Sequence, residues 1–521
     1  MGPSTIQALL QPRAYPEPTT EVHLLQTHVS FLFFTDLHVY KIKKPVDFGF
    51  LNFTTLDRRR FYCNEEIRLN RRLCPDMYLG VVEVRDSPDG GSFIGNGQVL
   101  DYAVKMKRLP EQKMLHRLVS ENLATPGQLR QVGHVIANFH LKAERSTVIA
   151  EYGKPEVIRQ NWDENFQQLQ SFADAVVEQR DLTLVNDWGR RFLEKNSPLF
   201  TDRATGGFIR DCDGDIHLDN ICLTDQVCIF DCIEFNNRFR YSDTAADIAF
   251  LLMDLDFNGR SDLAETVLDE YAGVTGDEGA LPLIPFYKTY RAMVRCKVEC
   301  FRLNDPLISG EEKNAARQRG MAYLRLARRY ALHDRLPLSL MLTCGLMGSG
   351  KSTVASALSE AAGVEAVSSD RVRKELAAIP EGGHDYSGYG KGIYTPEADG
   401  ATYGELLRRA EEAIANGRSI IIDATFRREN DRRMVRSIAG RYGAQYSVII
   451  TTCPDEVARQ RLEERERRPD EVSDGRWELY HLQQAEFENP QPDEGCLIFV
   501  DTSRPINATI DTILEEIGLL P

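Results

Sequence analysis

The segment Gly345-Leu-Met-Gly-Ser-Gly-Lys-Ser352 has the spacing G-x4-G-K-S of a phosphate-binding loop. Its glycines let successive backbone N–H groups curl around phosphate oxygens. The helix N-terminus behind them adds partial positive charge, and the lysine and serine reach the terminal phosphates and magnesium. The surroundings agree, because the apolar run Leu338 to Cys344 reads as a strand and Thr353 to Ala361 as a helix. Gly345, Gly348, Ser349, Gly350, Lys351, Ser352 and Thr353 are therefore expected to hold a nucleotide, with Ser352 also a magnesium ligand.

Other residues after this loop suit phosphoryl transfer to a small acceptor. Asp370 ends the strand-like run Val364 to Ser369 and is followed by Arg371 and Arg373. Ligands of open parallel sheets collect at such carboxyl edges. Asp370 is expected to take a hydroxyl proton while Arg373 orients the acceptor; the competing reading is a helix-capping aspartate beside solvated arginines. Asp423, closing the strand-like Ile420 to Ile422, is expected near the metal. Arg461 and Arg465 are four apart on one helical face, placed either to close over the phosphoryl group or to form a solvated face with Glu464.

A second set of residues lies more than a hundred positions earlier. Asp215 is followed by Asn220 and then by Val227-Cys-Ile-Phe-Asp231. One carboxylate can take a hydroxyl proton while the amide and the second carboxylate hold magnesium on nucleotide phosphates. Asp215 is thus the expected base, and Asn220 and Asp231 the metal ligands. Lys41 and Lys43 share a strand face by period two, and the helical stretch Leu56 to Leu73 carries Glu65 and Glu66 for an ion pair. Lys41 with Glu66 is the preferred nucleotide pair, with Lys43 and Glu65 the alternatives.

On these residues the first half resembles the aminoglycoside phosphotransferase family, which is similar in fold to protein kinases. The resemblance rests on Val39-Tyr-Lys-Ile-Lys-Lys-Pro45, Gly214-Asp215 to Asn220, Phe230-Asp231 and Asp243 to Ala249. It implies that Asp247 braces the catalytic loop. Where that family usually has His two residues before the catalytic Asp, this chain has Asp213. Repulsion and burial are then expected to raise a pKa among the neighbouring carboxylates. From Pro337 to Leu520 the chain resembles small P-loop kinases related to gluconate kinases, polynucleotide 5'-kinases and zeta-type toxin kinases. The bearing residues are Gly345 to Thr353, Ser369-Asp370 with Arg373, Asp423 to Phe426 with Arg433, Arg461 to Arg465, and Ser473-Asp474 leading to Gln484. That likeness implies Asp370 as the acceptor-side base and Arg465 as a lid residue.

The elements that must position these groups fall into two patterns. After an N-terminal extension, 1–26, a sheet lobe at about 27–124 and a helical lobe at about 125–335 form the outline of a bilobal, protein-kinase-like α+β domain. From 336 to 521 short apolar runs alternate with helices, which predicts an α/β P-loop domain whose parallel sheet is covered by helices. Gly382 to Gly392 and Glu463 to Asp474 are placed where a substrate loop and a lid could sit.

Composition limits the partners. With 63 Lys plus Arg against 78 Asp plus Glu the net charge is -15. Long-range repulsion of polyphosphates disfavours nucleic acid, which stays open only for the second half. No window approaches the ~18 apolar residues of a membrane span, and Met1 to Thr20 lacks a secretory pattern. A cytoplasmic protein follows. Its 11 Cys, without a CxxC pair, read as buried thiols of a reducing compartment. The expected function is a bifunctional kinase using Mg2+ and ATP or GTP, each domain phosphorylating a hydroxyl of a small-molecule acceptor. Oligomeric state is not encoded in any motif. The alternatives are a polynucleotide 5'-hydroxyl kinase in the second half, a P-loop kinase regulated by an inactive first half that binds a metabolite, or a nucleotide-dependent switch.

Overall fold

The computed structural model describes residues 2–49, 51–305, 308–379, 395–466 and 477–520. The Gly382 to Gly392 loop and Ser473-Asp474, with the rest of the expected lid beyond residue 466, lie outside the described residues. The chain divides into two compact units, Met1–Ala327 and Arg328–Pro521. This division falls inside the helix Gly310–Arg335, somewhat before the expected 335/336 boundary.

In the first unit, α1 (Pro3–Leu9) precedes β1 (His23–Gln26), β2 (Ser30–Phe34), β3 (His38–Lys43), α2 (Leu56–Asn70), β4 (Tyr78–Arg85) and β5 (Val99–Lys107). The strands form one antiparallel sheet in the order β1-β2-β3-β5-β4. Both faces are covered, so alternation along β3 sorts its side chains into two cores. Val39 joins Cys63 and Ile67 of α2, whereas Tyr40 and Ile42 pack with Leu9, Ala14 and Tyr15. Residues 1–26 are therefore no appendage: they supply an edge strand and the apolar cover of one sheet face. Helix α2 is capped by Thr55, which accepts from the Arg58 N–H, and its buried residues include Arg59, Glu66 and Asn70. A helix that buries charged groups is positioned by partners, not by an apolar stripe.

The helices and short strands that build the rest of this unit's site are α3 (Pro126–Lys142), α4 (Pro155–Leu169), α5 (Gln179–Lys195), β6 (Ile209–Asp211), β7 (Ile221–Leu223), β8 (Val227–Ile229), β9 (Tyr241–Asp243), α6 (Thr244–Phe257), α7 (Ser261–Thr275) and α8 (Ile284–Arg302). β6 pairs with β9, and β7 with β8. Helix α6 is buried nearly all round and is capped by the Asp243 carboxylate, which accepts from the Ala245 N–H at 2.9 Å. One expectation fails here. Cys74 and Cys228 form a disulfide, with Cα atoms 4.7 Å apart and a sequence separation of 154 positions. Packing of the segment after α2 against β8 makes this pairing, and no cysteine spacing could signal it.

The helix α9 (Gly310–Arg335) leads into β10 (Ser339–Cys344), α10 (Lys351–Ala362), β11 (Glu365–Ser368), α11 (Ser369–Leu376), α12 (Pro396–Ala415), β12 (Ile420–Asp423), α13 (Glu429–Arg441), β13 (Gln445–Thr452), α14 (Asp455–Glu466), α15 (Trp477–Ala485), β14 (Cys496–Asp501) and α16 (Ile506–Glu516). The five strands are all parallel, in the order β11-β12-β10-β13-β14. Central β10 is buried at every residue, the signature of a strand covered on both faces. Its carboxyl end delivers the chain directly into the phosphate loop.

Candidate active sites

Four buried charged groups meet between β3, α2 and the segment after β8. Lys41 Nζ lies 2.9 Å from Glu66 Oε1 and 2.5 Å from Asp231 Oδ1. Lys43 Nζ is 2.6 Å from Glu66 Oε2 and also pairs with Glu234. Glu66 is completely buried, while Glu65 pairs with Arg68 at the surface. Both lysines thus share one glutamate, and Lys41 is the one that also reaches Asp231. Burial opposes the charge on Glu66, yet the two lysines outweigh it and hold the carboxyl at about 2. Burial likewise works against the Lys41 ammonium, but Asp231, Glu66 and Glu234 together drive its pKa well upward.

Asp215 and Asn220 are brought together by the single turn Leu218–Asn220. The Asn220 amide donates to the Asp215 carbonyl at 3.1 Å and to its carboxylate at 3.2 Å. This engages the amide nitrogen and leaves the oxygen for a cation. Asp231 sits in the left-handed region at φ +65°, a conformation costly for a non-glycine residue and concentrated at functional sites. Its side chain stays 47% exposed while one oxygen meets Lys41. An amide oxygen and a carboxylate are hard oxygen donors, so this pair fits magnesium.

Asp213 carries the raised pKa expected among these carboxylates. It is 1% exposed, and burial, with the Asp247 charge second, pushes its pKa up to about 8. Both effects favour the protonated, uncharged form of this carboxyl. Asp215 moves the other way: burial raises it, but His217, with Arg295 and Arg291, holds it below the usual aspartate value. The rise expected from crowding falls on Asp213, not on Asp215. Asp247, fully buried, accepts from the Gly214 N–H at 2.8 Å and the Asp213 N–H at 3.0 Å, and meets His140 Nε2 at 3.1 Å. It clamps the backbone just before Asp215.

A cavity of about 360 Å³ opens beside Asp215 and Asp231, walled by α4, α8 and residues near β9. Asp211, Asp213 and Asp219 lie near Asp215 in sequence but outside the cavity wall. Asp211 is 2.5 Å from Arg240.

The phosphate loop of the second unit has the expected form. Gly348 lies at φ +76°, where a Cβ would also meet the Ala458 carbonyl at 2.9 Å. The loop is tied down by Met347 N–H to Gln483 Oε1 at 2.7 Å and by Ser349 Oγ with Thr451 Oγ1 at 2.7 Å. Lys351 Nζ donates to the Leu346 carbonyl at 2.9 Å, and Ser352 and Thr353 are exposed in the first turn of α10. Burial lowers the Lys351 pKa, opposed by the charges of Asp423 and Asp370. Both carboxylates therefore act on the lysine from the carboxyl edge of the sheet. Asp423 is buried and accepts from Thr343 Oγ1 at 2.9 Å. Its carboxylate and the Ser352 hydroxyl are both hard oxygen donors of the kind that suits magnesium.

The arginines separate. Arg461 is held by Thr502, at 2.9 Å to its hydroxyl and 2.7 Å to its carbonyl, and by the Gly348 carbonyl at 3.3 Å. It braces the loop. Arg465 instead adds positive potential at Lys351. Arg373 is buried and lies 2.7 Å from Asp399 of α12. Asp370 is in the first turn of α11, whose cap is Ser368. Arg433 pairs with Glu429 on the surface, away from this set.

Sequence reasoning missed His217, 3.5 Å from Asp215, and Glu234 beside Lys43. It also missed His140 behind Asp247 and Gln483 on the phosphate loop. His217 alone carried a signal, two residues from the expected base.

Among the described residues no helix is long and apolar enough to cross a membrane. A family model described as an AAA domain matches residues 340–490. Among solved structures, a choline/ethanolamine kinase family protein from Mesorhizobium loti is 13% identical with a TM-score of 0.37, covering 62% of this chain and 99% of its own. A sugar kinase from Janibacter is 22% identical with a TM-score of 0.28, covering 36% of this chain and 97% of its own. The first unit sets an antiparallel sheet ahead of a helical lobe, and the second is a parallel α/β unit that carries the phosphate loop and the match to the AAA domain model. The uncharacterized proteins Rv2004c of Mycobacterium tuberculosis and Mb2027c of Mycobacterium bovis are 32% identical over 424 residues, 81% of this chain and 82% of each relative. The likeness runs through both units, and this chain belongs to the family of Rv2004c and Mb2027c.

Proposed function

We propose that the chain is a phosphotransferase with two sites, each moving the γ-phosphoryl group of ATP or GTP to a hydroxyl of a small molecule. In the first unit Lys41, held by Glu66, steadies the nucleotide phosphates. Asp215 accepts the acceptor's hydroxyl proton as the new O–P bond forms and the bond to the departing nucleoside diphosphate breaks. Asn220 and Asp231 would hold magnesium, which neutralises phosphate charge when bound. The observation that carries this reading is the convergence of Lys41, Asp215 and Asp231 on one cavity, with Asn220 hydrogen-bonded to Asp215 behind it.

In the second unit the loop from Gly345 to Ser352 and the N-terminus of α10 cradle the phosphates. Ser352 and Asp423 would hold the metal, Asp370 takes the acceptor proton, and Arg465 offsets charge on the transferring group. Burial and the Asp247 charge disfavour the ionised form of Asp213, which weakens the main reason for treating the first unit as a dead binding module.

The test is transfer from γ-labelled ATP, and separately GTP, into a pooled small-metabolite extract. Wild type is compared with Asp215→Asn, Lys351→Ala and the double variant. Each single variant is expected to lose a different labelled product, and the double variant all of them. If every product depends on Lys351 alone, the first unit is not a kinase.

A further inference from the structure

The cavity beside Asp215 carries unsatisfied polar groups that have no part in the phosphate chemistry. Helix α4 turns Asn161, Glu164, Asn165 and Gln168 onto it, at the i, i+3, i+4, i+7 spacing of one helical face. Asn165 is only 1% exposed, yet neither its amide nitrogen nor its amide oxygen has a hydrogen-bond partner; the Asn161 oxygen is also unpartnered. A buried amide left empty on both sides is costly, and native proteins seldom leave one without a ligand or water to meet it. Across the cavity, α8 supplies Tyr290 and Lys297, with Phe286 and Phe301 as apolar surface.

The charges have a definite sense. The wall has five carboxylates, Glu164, Asp215, Asp231, Glu234 and Asp243, and each has a partner. On the acceptor side Glu164 is held by Arg238 through contacts of 2.9 and 2.6 Å, and Asp243 by Arg203 at 2.6 Å. Lys297 lies on the same wall, half-buried, and among the described residues it makes no ion pair or hydrogen bond. Nothing on this wall is left over to neutralise a cationic ligand, whereas a cation is left over for an anionic one.

We propose that the first unit's acceptor is an anionic polyol, a sugar-like molecule bearing a carboxylate or phosphate. Its hydroxyls are read by Asn161 and Asn165 and its negative group by Lys297. The inference rests on the phosphotransferase reading of the same site and adds the class of molecule it takes. Amides offer both a donor and an acceptor to neighbouring hydroxyls, and the aromatic surface suits the C–H faces of a sugar ring. Burial draws the Lys297 pKa down to about 8, with Glu164 opposing the fall and Arg238 adding to it, and an anion bound beside the ammonium would offset that burial.

The experiment uses the full-length chain carrying Lys351→Ala, so that the P-loop unit is silent. Steady-state ADP release and calorimetric binding are measured with gluconate and glucuronate, glucose 6-phosphate and fructose 6-phosphate, glucose and myo-inositol, and choline and kanamycin. The expected result is that a sugar acid or a sugar phosphate gives a kcat/KM at least tenfold above the neutral polyols, the two anionic sets showing which group is read. Lys297→Met should shrink that anionic-to-neutral ratio at least tenfold, mainly through KM. Asn165→Ala should raise KM for every polyol; if Lys297→Met folds poorly, Lys297→Gln gives the same ratio test. Preferred turnover of choline or kanamycin, failure of every anionic polyol to bind, or an anionic-to-neutral ratio indifferent to Lys297 would overturn the assignment. Binding of an anionic polyol that depends on Lys297 but never leads to ADP release would support the acceptor class while sinking the phosphotransferase reading.

Discussion

The two units meet a polyphosphate by opposite means. In the second, the phosphate-binding groups come from the consecutive residues Gly345 to Ser352, whose backbone geometry is set locally. In the first they are side chains from separate elements: Lys41 and Asp231, 2.5 Å apart, are separated by 190 positions. A contiguous loop keeps its shape as long as its strand and helix persist. A dispersed site depends on the burial of Lys41, Lys43, Glu66 and Glu234 together, and is only as sound as the packing around them.

That contrast can be broken most sharply at Glu66. Glu66→Gln leaves two buried lysines without their shared carboxylate, at a cost of about 3–5 kcal/mol to the first unit. Scanning calorimetry should show that unit's transition falling while the P-loop unit's stays in place; equal movement of both, or of neither, would refute the contrast. The acid limb gives a second reading of the same charge. Because the folded Glu66 pKa lies at about 2 and the ordinary value is 4.5, its stabilisation is present above about pH 4.5 and is lost as pH falls from there toward 2. The variant should lose this part of the pH dependence.

Within the second unit the comparison is between two arginines on α14. Arg465→Ala should lower kcat of the P-loop reaction about 100-fold with little change in nucleotide affinity, as loss of a group that stabilises transition-state charge does. Arg461→Ala, which frees Thr502 and the Gly348 carbonyl, should instead weaken nucleotide binding and lower stability by about 1–2 kcal/mol. Stopped-flow nucleotide binding alongside steady-state turnover separates the two. Equivalent behaviour would mean that both arginines act on the phosphoryl group.

The smallest effect concerns Asp213. Its folded pKa, about 8, lies above the ordinary 3.8, so the fold is most favoured with the proton on, and stability is lost as pH rises from about 4 through about 8. Asp213→Asn should leave the first unit unchanged near pH 4 and stabilise it at pH 9 by on the order of 1 kcal/mol or more. It should also extend the alkaline limb of that unit's activity, which urea titrations and rate profiles across pH 6 to 10 would check.

What could be read from the sequence follows the same division. The phosphate loop was legible because eight adjacent residues hold all its information, and the parallel sheet because each strand is a short apolar run. Lys41 and Glu66 were legible through period two and a helical stretch. The choice between Lys41 and Lys43 was not, since both reach the same carboxylate. The role of Arg461 was hidden because the residue that holds it, Thr502, lies 41 positions further along the chain. Which carboxylate would carry the raised pKa was not legible, because sequence shows that carboxylates are near one another but not which is buried and which is met by His217. Residues 1–26, rich in proline, read as an extension because their partners are a sheet face assembled from β2, β3 and β5.

The disulfide between Cys74 and Cys228 gives the first unit an unusual topology. It closes the chain into a ring that contains Asp215 and Asn220, from which two tails emerge. One tail carries Lys41 and Glu66, and the other begins three residues before Asp231. The proton acceptor thus belongs to the ring and the nucleotide lysine to a tail, with covalent continuity guaranteed whichever backbone bond inside the ring is cut. A molecule nicked once between residues 75 and 227 would migrate as a single species until a reductant opened the ring, and only then separate into two.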